Sequence, residues 1–261
     1  MIQLKTESEI EILRENAHIL NEILRELIRA SQAGVSTGKL DNLAERLMQD
    51  AGVESAFKGY RGYPASICTS INEEIVHGIP RDDRVLSDGD VLSIDIGIER
   101  HGLFADKADT VIVGPPSQAA LELIGVAREA LRRGIVQAHP GNRVGDISHA
   151  IGSYAQARGH QVVKRFVGHG IGRAMHEEPQ VPNYGQPGRG AKLMEGMVLA
   201  IEPMVWKAMA GASGAEEQEE WVAEDGWTVM TPDRRPAAHV EEMVLITESG
   251  PDVLTDMGAC P

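Results

Sequence analysis

The sequence predicts an α/β fold of the α+β kind: two pseudo-symmetric halves, each a pair of helices followed by a hairpin, around an antiparallel sheet. Three observations predict it. Asp88-Gly-Asp-Val-Leu-Ser-Ile-Asp95 recurs as Glu195-Gly-Met-Val-Leu-Ala-Ile-Glu202, an offset of 107 that carries Asp95 onto Glu202. The same offset carries Gly52, where a second helical pattern stops, onto Gly159, where a fourth stops, and Ser31, near the end of the first, onto Ala138, near the end of the third. Helical and strand periodicities follow one another in the same order in both halves. The period is far longer than that of a solenoid. The 261 residues can bury a substantial core and still be one domain, 1–261, with internal halves of about 7–114 and 117–250.

Taken in order, Thr6-Glu7-Ser8-Glu9 is a capping box that opens a first helix. Ile10, Leu13, Ala17, Leu20, Ile23, Leu24 and Leu27 keep helical spacing to about Ser31. Ser36 or Thr37 caps a second helix with Leu40, Leu43, Ala44 and Leu47 on one face, ended by Gly52. Tyr60–Pro64 reads as a loop, and Ser66–Ile71 and Glu74–His77 as short strands. Val91–Ile98 alternates, with Leu92, Ile94, Ile96 and Ile98 on one face, and a second strand, Leu103–Val113, follows a turn ending in Gly102. Ser117 opens a long helix to about His139, and Asp146–Arg158 forms another. Gly196–Val205, Trp227–Met230 and Val240–Thr247 complete the strands.

Composition narrows the function classes. A net charge of −14 opposes a general affinity for nucleic acid or anionic membrane. Two cysteines, Cys68 and Cys260, without a CxxC, imply no disulfide framework. The N-terminus lacks the basic and apolar regions of a signal peptide, and no run approaches the roughly 18 apolar residues of a membrane span. A cytoplasmic location is the expectation.

The chemistry gathers on the acidic hairpin. With the turn centred on Arg100–His101, facing residues have numbers summing to 201, which sets Asp95 directly opposite Asp106. Like charges so placed destabilise a sheet unless a hard cation compensates. The repeat makes Glu202 the counterpart of Asp95, and Glu241 that of Asp106. That second pair is 135 apart, so the second hairpin is expected to carry 28 extra residues, the acidic segment 211–225 among them. Four crowded carboxylates cannot all stay ionised without cations. With one imidazole, His169 between Gly168 and Gly170, they suit two divalent transition ions. Such a pair, roughly 3.5–4 Å apart, activates a bridging water and polarises a carbonyl, which equips a hydrolase.

Four stretches carry a resemblance. Cys68-Thr-Ser-Ile-Asn-Glu-Glu-Ile-Val-His-Gly-Ile-Pro80, the Asp95/Asp106 pair, Gly168-His-Gly-Ile-Gly-Arg-Ala-Met-His-Glu-Glu-Pro179 and Ala200-Ile-Glu-Pro-Met204 together resemble the type I methionine aminopeptidases, from the first helix to about Thr255. The resemblance implies the pita-bread fold and removal of the initiator methionine from nascent polypeptides, at the ribosome, by a cytoplasmic monomer. It implies two divalent ions (Co, Mn, Fe, Zn or Ni) on Asp95, Asp106, His169, Glu202 and Glu241, with Asp106 and Glu241 bridging. It makes His77 and His176 non-ligand catalytic histidines and Glu202 the general base. It lines a methionine pocket with Tyr60, Tyr63, Cys68, Met175 and Trp227, which join His77 and His176 in binding substrate. Three departures stand out: Lys107 where the family usually has threonine, Met175 where it often has phenylalanine, and Glu242-Met243 where His-Thr usually follows the last glutamate. His-Val-Glu-Glu-Met-Val-Leu-Ile-Thr247 leans toward proline-dipeptide hydrolases of the same superfamily, which makes an Xaa-Pro peptidase the alternative, and a non-catalytic peptide-binding relative a more distant one. The acidic segment 211–225 reads first as a tolerated surface loop; the sharper alternative is that its six acids form part of the rim of the substrate entrance and favour peptides with basic residues beyond the methionine.

Overall fold

The structure, a computed structural model, describes residues 2–207 and 219–257. Cys260, Glu216 and Glu217 lie outside the described residues. Four helices form where the periodicity places them. α1 (Glu7–Ala30) begins at Thr6, whose hydroxyl accepts from Glu9 N while the Glu9 carboxylate accepts from Thr6 N, the expected capping box. α2 (Thr37–Ala51) is capped by Ser36 and stopped by Gly52 in the left-handed conformation. α3 (Gln118–Ile135) is capped by Ser117, and α4 (Val144–Gln156) follows. α3 ends four residues short of His139. Beyond Ile135, tight bonds from Ala138 N to Ile135 O and from His139 N to Gln137 O replace the helical ladder.

The strands are β1 (Glu54–Ser55), β2 (Ile67–Ile71), β3 (Glu74–Val76), β4 (Val91–Arg100), β5 (Leu103–Ile112), β6 (His160–Val162), β7 (Gly168–Gly170), β8 (Glu177–Val181), β9 (Val198–Ile201), β10 (Met204–Lys207), β11 (Trp221–Val222), β12 (Val229–Met230), β13 (Ala237–His239), β14 (Glu242–Thr247) and β15 (Gly250–Val253). A short 3-10 turn, Tyr60–Gly62, occupies the expected loop. Every pairing among the described residues is antiparallel. The first sheet runs β1-β4-β2 with β5 on β4, and the largest runs β15-β14-β9-β7-β8. Two three-stranded sheets, β13-β10-β6 and β11-β12-β3, complete the described strands.

Each helix pair covers its own apolar core. Leu13, Leu20, Leu24 and Leu27 of α1 pack with Ile94, Ile96 and Ile98 of β4. Leu123, Ala127, Ile147 and Ile151 of α3 and α4 pack with Leu199, Ile201, Val244 and Ile246. Because side chains alternate along a strand, the faces turned from the helices carry Ser93 and Asp95, and the polar chemistry collects there. The repeat is visible in the backbone. Gly34 N donates to Leu86 O and Leu86 N to Val35 O; an offset of 107 gives Gly141 N to Leu193 O and Leu193 N to Asn142 O. Among the described residues no helix is long and apolar enough to cross a membrane.

Three expectations are corrected. Arg100 pairs with Leu103 across a two-residue turn, His101-Gly102, both at positive φ (57° and 74°). Such a turn matches the twist of the strands. It shifts the register by two, so Asp95 faces Ala108 and Asp106 faces Gly97, and the two aspartates are diagonal neighbours on one face. Second, the strand predicted over Gly196–Val205 breaks after Ile201, because Pro203 has no N–H for the ladder. β9 then belongs to one sheet and β10 to another. Third, Ile201 faces Glu242 and Met204 faces His239, so the same register sets Glu202 opposite Glu241. On the returning strands Ile112 corresponds to Leu245, an offset of 133, which makes the excess 26 rather than 28. By register the counterpart of Asp106 is therefore His239, and Glu241 corresponds to Ala108.

Candidate metal centre and active-site cleft

The five proposed ligands come from both halves. Asp95 and Asp106 stand on β4 and β5; His169 is the middle residue of β7; Glu202 follows β9; and Glu241 joins β13 to β14. Glycines flank His169 for a steric reason: a Cβ on Gly168 would lie 2.4 Å from Ala200 O, and one on Gly170 2.4 Å from Glu178 O. His169 Nδ1 lies 2.9 Å from Gly170 O. A carbonyl only accepts, so Nδ1 carries the proton and the Nε2 lone pair is free to ligate. Nε2 lies 3.5 Å from Glu202 Oε1 and 3.9 Å from Asp106 Oδ2. Donor atoms of Asp106, His169 and Glu241 all lie within 4.8 Å of one another.

Burial sets the electrostatics. It pushes the Asp95 carboxyl up to about 6. It holds Asp106, Glu202 and Glu241 well above the usual carboxylate range, each helped by the charge of neighbouring carboxylates. It presses the His169 imidazole down to about 3, so the ring is neutral. Asp95 Oδ1, Asp106 Oδ1 and Glu241 Oε1 are buried without a hydrogen-bond partner. Buried oxygens are seldom left so. A carboxylate-rich donor set with one neutral imidazole and three orphaned oxygens fits divalent cations.

The two other histidines flank this cluster. His77 follows β3 at φ 60° and presents its ring edge-on to Phe166 at 5.3 Å and Trp227 at 6.3 Å. Burial lowers its pKa to about 4, assisted by His239 and His176. His176 stacks on Tyr60, with Nδ1 2.9 Å from the Tyr60 hydroxyl, and its ring centroid is 4.3 Å from that of His169. When Tyr60 donates to Nδ1, Nε2–H remains as a donor. Partial enclosure by the cleft and then the Arg61 cation lower the His176 pKa.

Beside the histidines lies an apolar recess. Tyr63 meets Trp227 edge-on at 5.0 Å, and its hydroxyl is 3.1 Å from both Ile67 O and Gly78 O. Cys68 is buried, and burial followed by the charge of Asp95 raises its thiol pKa, so it stays a thiol and packs as a small apolar group. Met175 is buried as well. The structure brings every residue singled out from the sequence, namely Tyr60, Tyr63, Cys68, His77, Asp95, Asp106, His169, Met175, His176, Glu202, Trp227 and Glu241, to the wall of one cleft of about 540 Å³.

Several wall residues escaped sequence reasoning. Phe57 and Phe166 add apolar surface, and exposed Arg61 and Arg165 add positive charge. Behind the wall, and not among its lining residues, His239 is 1% exposed, its ring nitrogens have no hydrogen-bond partner, and Nε2 lies 3.6 Å from Glu202 Oε2. Its place two residues before Glu241, and so on the same strand face, was the available signal. Two of the six acids of the inserted segment are engaged in local hydrogen bonds, while Glu219 and Glu224 are exposed. The Glu220 carboxylate is buried and accepts from Arg165 N at 2.9 Å, and Asp225 accepts from Trp227 N and Thr228 N, both at 2.9 Å. These two acids fold the loop and set Trp227; they are not a free charged rim.

With this geometry in hand, similarity is informative. The chain matches metallopeptidase family M24 over residues 11–248. It is 48% identical to a methionine aminopeptidase of Clostridium acetobutylicum, over 98% of this chain and 99% of the relative. The crystal structure of a methionine aminopeptidase from Thermotoga maritima superposes with a TM-score of 0.92 at 41% identity, covering 98% of this chain and all of that one (100%). A prolidase from Pyrococcus furiosus, 24% identical with a TM-score of 0.78, shares the fold, and this chain covers 66% of it. The chain adopts the pita-bread fold and belongs to metallopeptidase family M24, on the branch of the methionine aminopeptidases.

Proposed function

We propose that the protein hydrolyses the N-terminal methionine from newly made polypeptides. One observation carries this reading: a buried cluster of four carboxylates and a neutral imidazole, two further histidines and a sulfur- and aromatic-lined recess share a single cleft. Asp95, Asp106, His169, Glu202 and Glu241 would hold two divalent ions. When bound, these supply electrophilic polarisation of the scissile carbonyl and make water a nucleophile at neutral pH.

The chain's own residues do the rest. Tyr63, Cys68, Met175 and Trp227 receive the thioether side chain, whose soft sulfur suits aromatic edges. That placement limits cleavage to the first peptide bond. His176, oriented through Nδ1 by Tyr60, donates from Nε2 to the carbonyl oxygen as negative charge builds there. Glu202 takes a proton from the attacking water and returns it to the leaving nitrogen as the C–N bond breaks. Its burial makes the carboxylate a better base than an exposed one. His77, neutral at pH 7, lies against the amide side of the scissile bond. A soluble monomer acting on nascent chains at the ribosome, in the cytoplasm and without nucleic-acid contacts of its own, completes the reading.

The test compares release of the first residue from Met-Ala-Ser, Met-Pro and Ala-Pro peptides by chelated protein resupplied with Mn, Fe, Co, Ni or Zn ions. Metal-dependent release of methionine from Met-Ala-Ser is expected. Preference for Ala-Pro assigns the enzyme to the Xaa-Pro peptidases instead.

A further inference from the structure

Lys107 and Glu242 look like unrelated departures in the sequence, and in the structure they are one contact. Lys107 follows Asp106 on β5, so alternation turns it to the face away from the carboxylates. It is 2% exposed, and among the largest fully buried side chains. A buried ammonium persists only with partners. Its Nζ pairs with the Glu242 carboxylate and donates to Thr255 O at 2.8 Å. Glu242 follows Glu241, and its other oxygen accepts from the Thr255 hydroxyl. That hydroxyl accepts in turn from Met243 N at 2.8 Å. The contacts close on themselves and tie β5, the start of β14 and the C-terminal turn together.

Their position matters more than their number. β5 and β14 belong to different sheets. Between them run Glu241 N to Ala108 O at 2.9 Å and Asp106 N to Met243 Sδ at 3.2 Å, alongside the Lys107–Glu242 pair. All three ties fall at 106–108 and 241–243, around the two carboxylates that have to reach shared ions. The backbone bond fixes one point of the seam. The ion pair behind the sheet fixes a second, and two points set the angle at which Asp106 and Glu241 face each other.

We propose that Lys107 and Glu242 are positioning residues for the metal centre: a joint clamp that sets the spacing of the Asp106 and Glu241 carboxylates and thereby the affinity for divalent ions. The inference rests on Asp106 and Glu241 being ligands. Outer partners of ligands are worth about 10–100-fold in metal affinity. The variants are Lys107→Met, Glu242→Gln, and the neutral double Lys107→Met/Glu242→Gln, which leaves no buried charge unpaired. Three quantities are measured on chelated protein: the urea midpoint, the Co2+ affinity by calorimetry, and the visible absorption of the Co2+-loaded form. Both single variants are expected to bind Co2+ about 10–100-fold more weakly, with a shifted visible band. The double variant is expected to keep the wild-type urea midpoint and still bind at least about 10-fold more weakly. If the singles do not fold, the double carries the test alone. Wild-type affinity and an unchanged band in the folded variants overturn the clamp and leave the pair a matter of stability. Absence of Co2+ binding by the wild type overturns the metal reading itself.

Discussion

His77 gives the sharpest prediction of how this cleft responds to pH. Burial holds its imidazole at about 4 against an ordinary 6.5. A base whose pKa is lowered by folding adds stability above its unfolded pKa. It withdraws that stability as pH falls from 6.5 toward 4. Linkage between those two values gives a loss of about 2 kcal/mol between pH 8 and pH 5 from this one residue. His77→Gln keeps a planar polar group and removes the titration. The assay is urea unfolding of chelated wild type and variant at pH 8, 7, 6 and 5. Any packing penalty of the variant is the same at each pH, so only the change in the gap is read. The wild-type advantage is expected to shrink by about 2 kcal/mol on going to pH 5. Asp95 supplies a control of opposite sign. Its carboxyl is raised to about 6, so its ionised form costs stability that is regained as pH falls. Relative to Asp95→Asn, the chelated wild type should gain stability between pH 8 and pH 5. A His77 gap that stays constant, or widens at low pH, refutes the assignment of a buried neutral imidazole. A widening gap would mean a protonated ring paired with a carboxylate.

Three further outcomes are expected. His176→Ala should lower kcat by about 10²–10³ with little change in KM, as for the loss of one oxyanion donor, and steady-state kinetics on Met-Ala-Ser will show it. Tyr60→Phe keeps the stacked ring and removes the hydroxyl 2.9 Å from His176 Nδ1. A net hydrogen bond of about 1 kcal/mol predicts a fall in kcat of roughly 5-fold, and an unchanged kcat would show that Tyr60 does not orient the imidazole. Arg61 and Arg165 on the cleft wall favour acidic peptides: Met-Ala-Ser-Glu-Glu should have a higher kcat/KM than Met-Ala-Ser-Lys-Lys at low salt, with the difference fading as salt is added. The opposite preference would restore the entrance to the acids of the inserted segment.

Local signals were legible in the sequence and long-range ones less so. Thr6 and Glu9 announced the first helix because a capping box is written within four residues. The offset that carries Asp95 onto Glu202 exposed the repeat, because two copies of a backbone need glycine at the same left-handed positions, such as Gly89 and Gly196 at φ 91° and 84°. The hairpin register was misjudged because it hangs on whether His101 adopts positive φ, which composition does not dictate. The break after Ile201 was written in Pro203 and outweighed by the apolar run before it. His239 went unnoticed because a histidine in a strand-like stretch carries no mark of the carboxylate it will meet. The Lys107–Glu242 contact joins residues 135 apart, and nothing local to either residue announces the other.

A peptide has a direction, and a cleft between two equivalent halves would not. If the repeat had carried its side chains as faithfully as its backbone, a substrate could lie in the groove either way round. The register difference on the returning strands removes that ambiguity. It sets histidine against aspartate and glutamate against alanine at matching points. The extra residues of the second hairpin bring half-buried Trp227 against Tyr63 and close the groove there with aromatic rings, while Arg61 and Arg165 stay exposed on its wall. An end-stopped groove admits a chain terminus and excludes the middle of a chain. The imperfection of the duplication, more than the duplication, is what would make this scaffold trim polypeptides instead of cutting them.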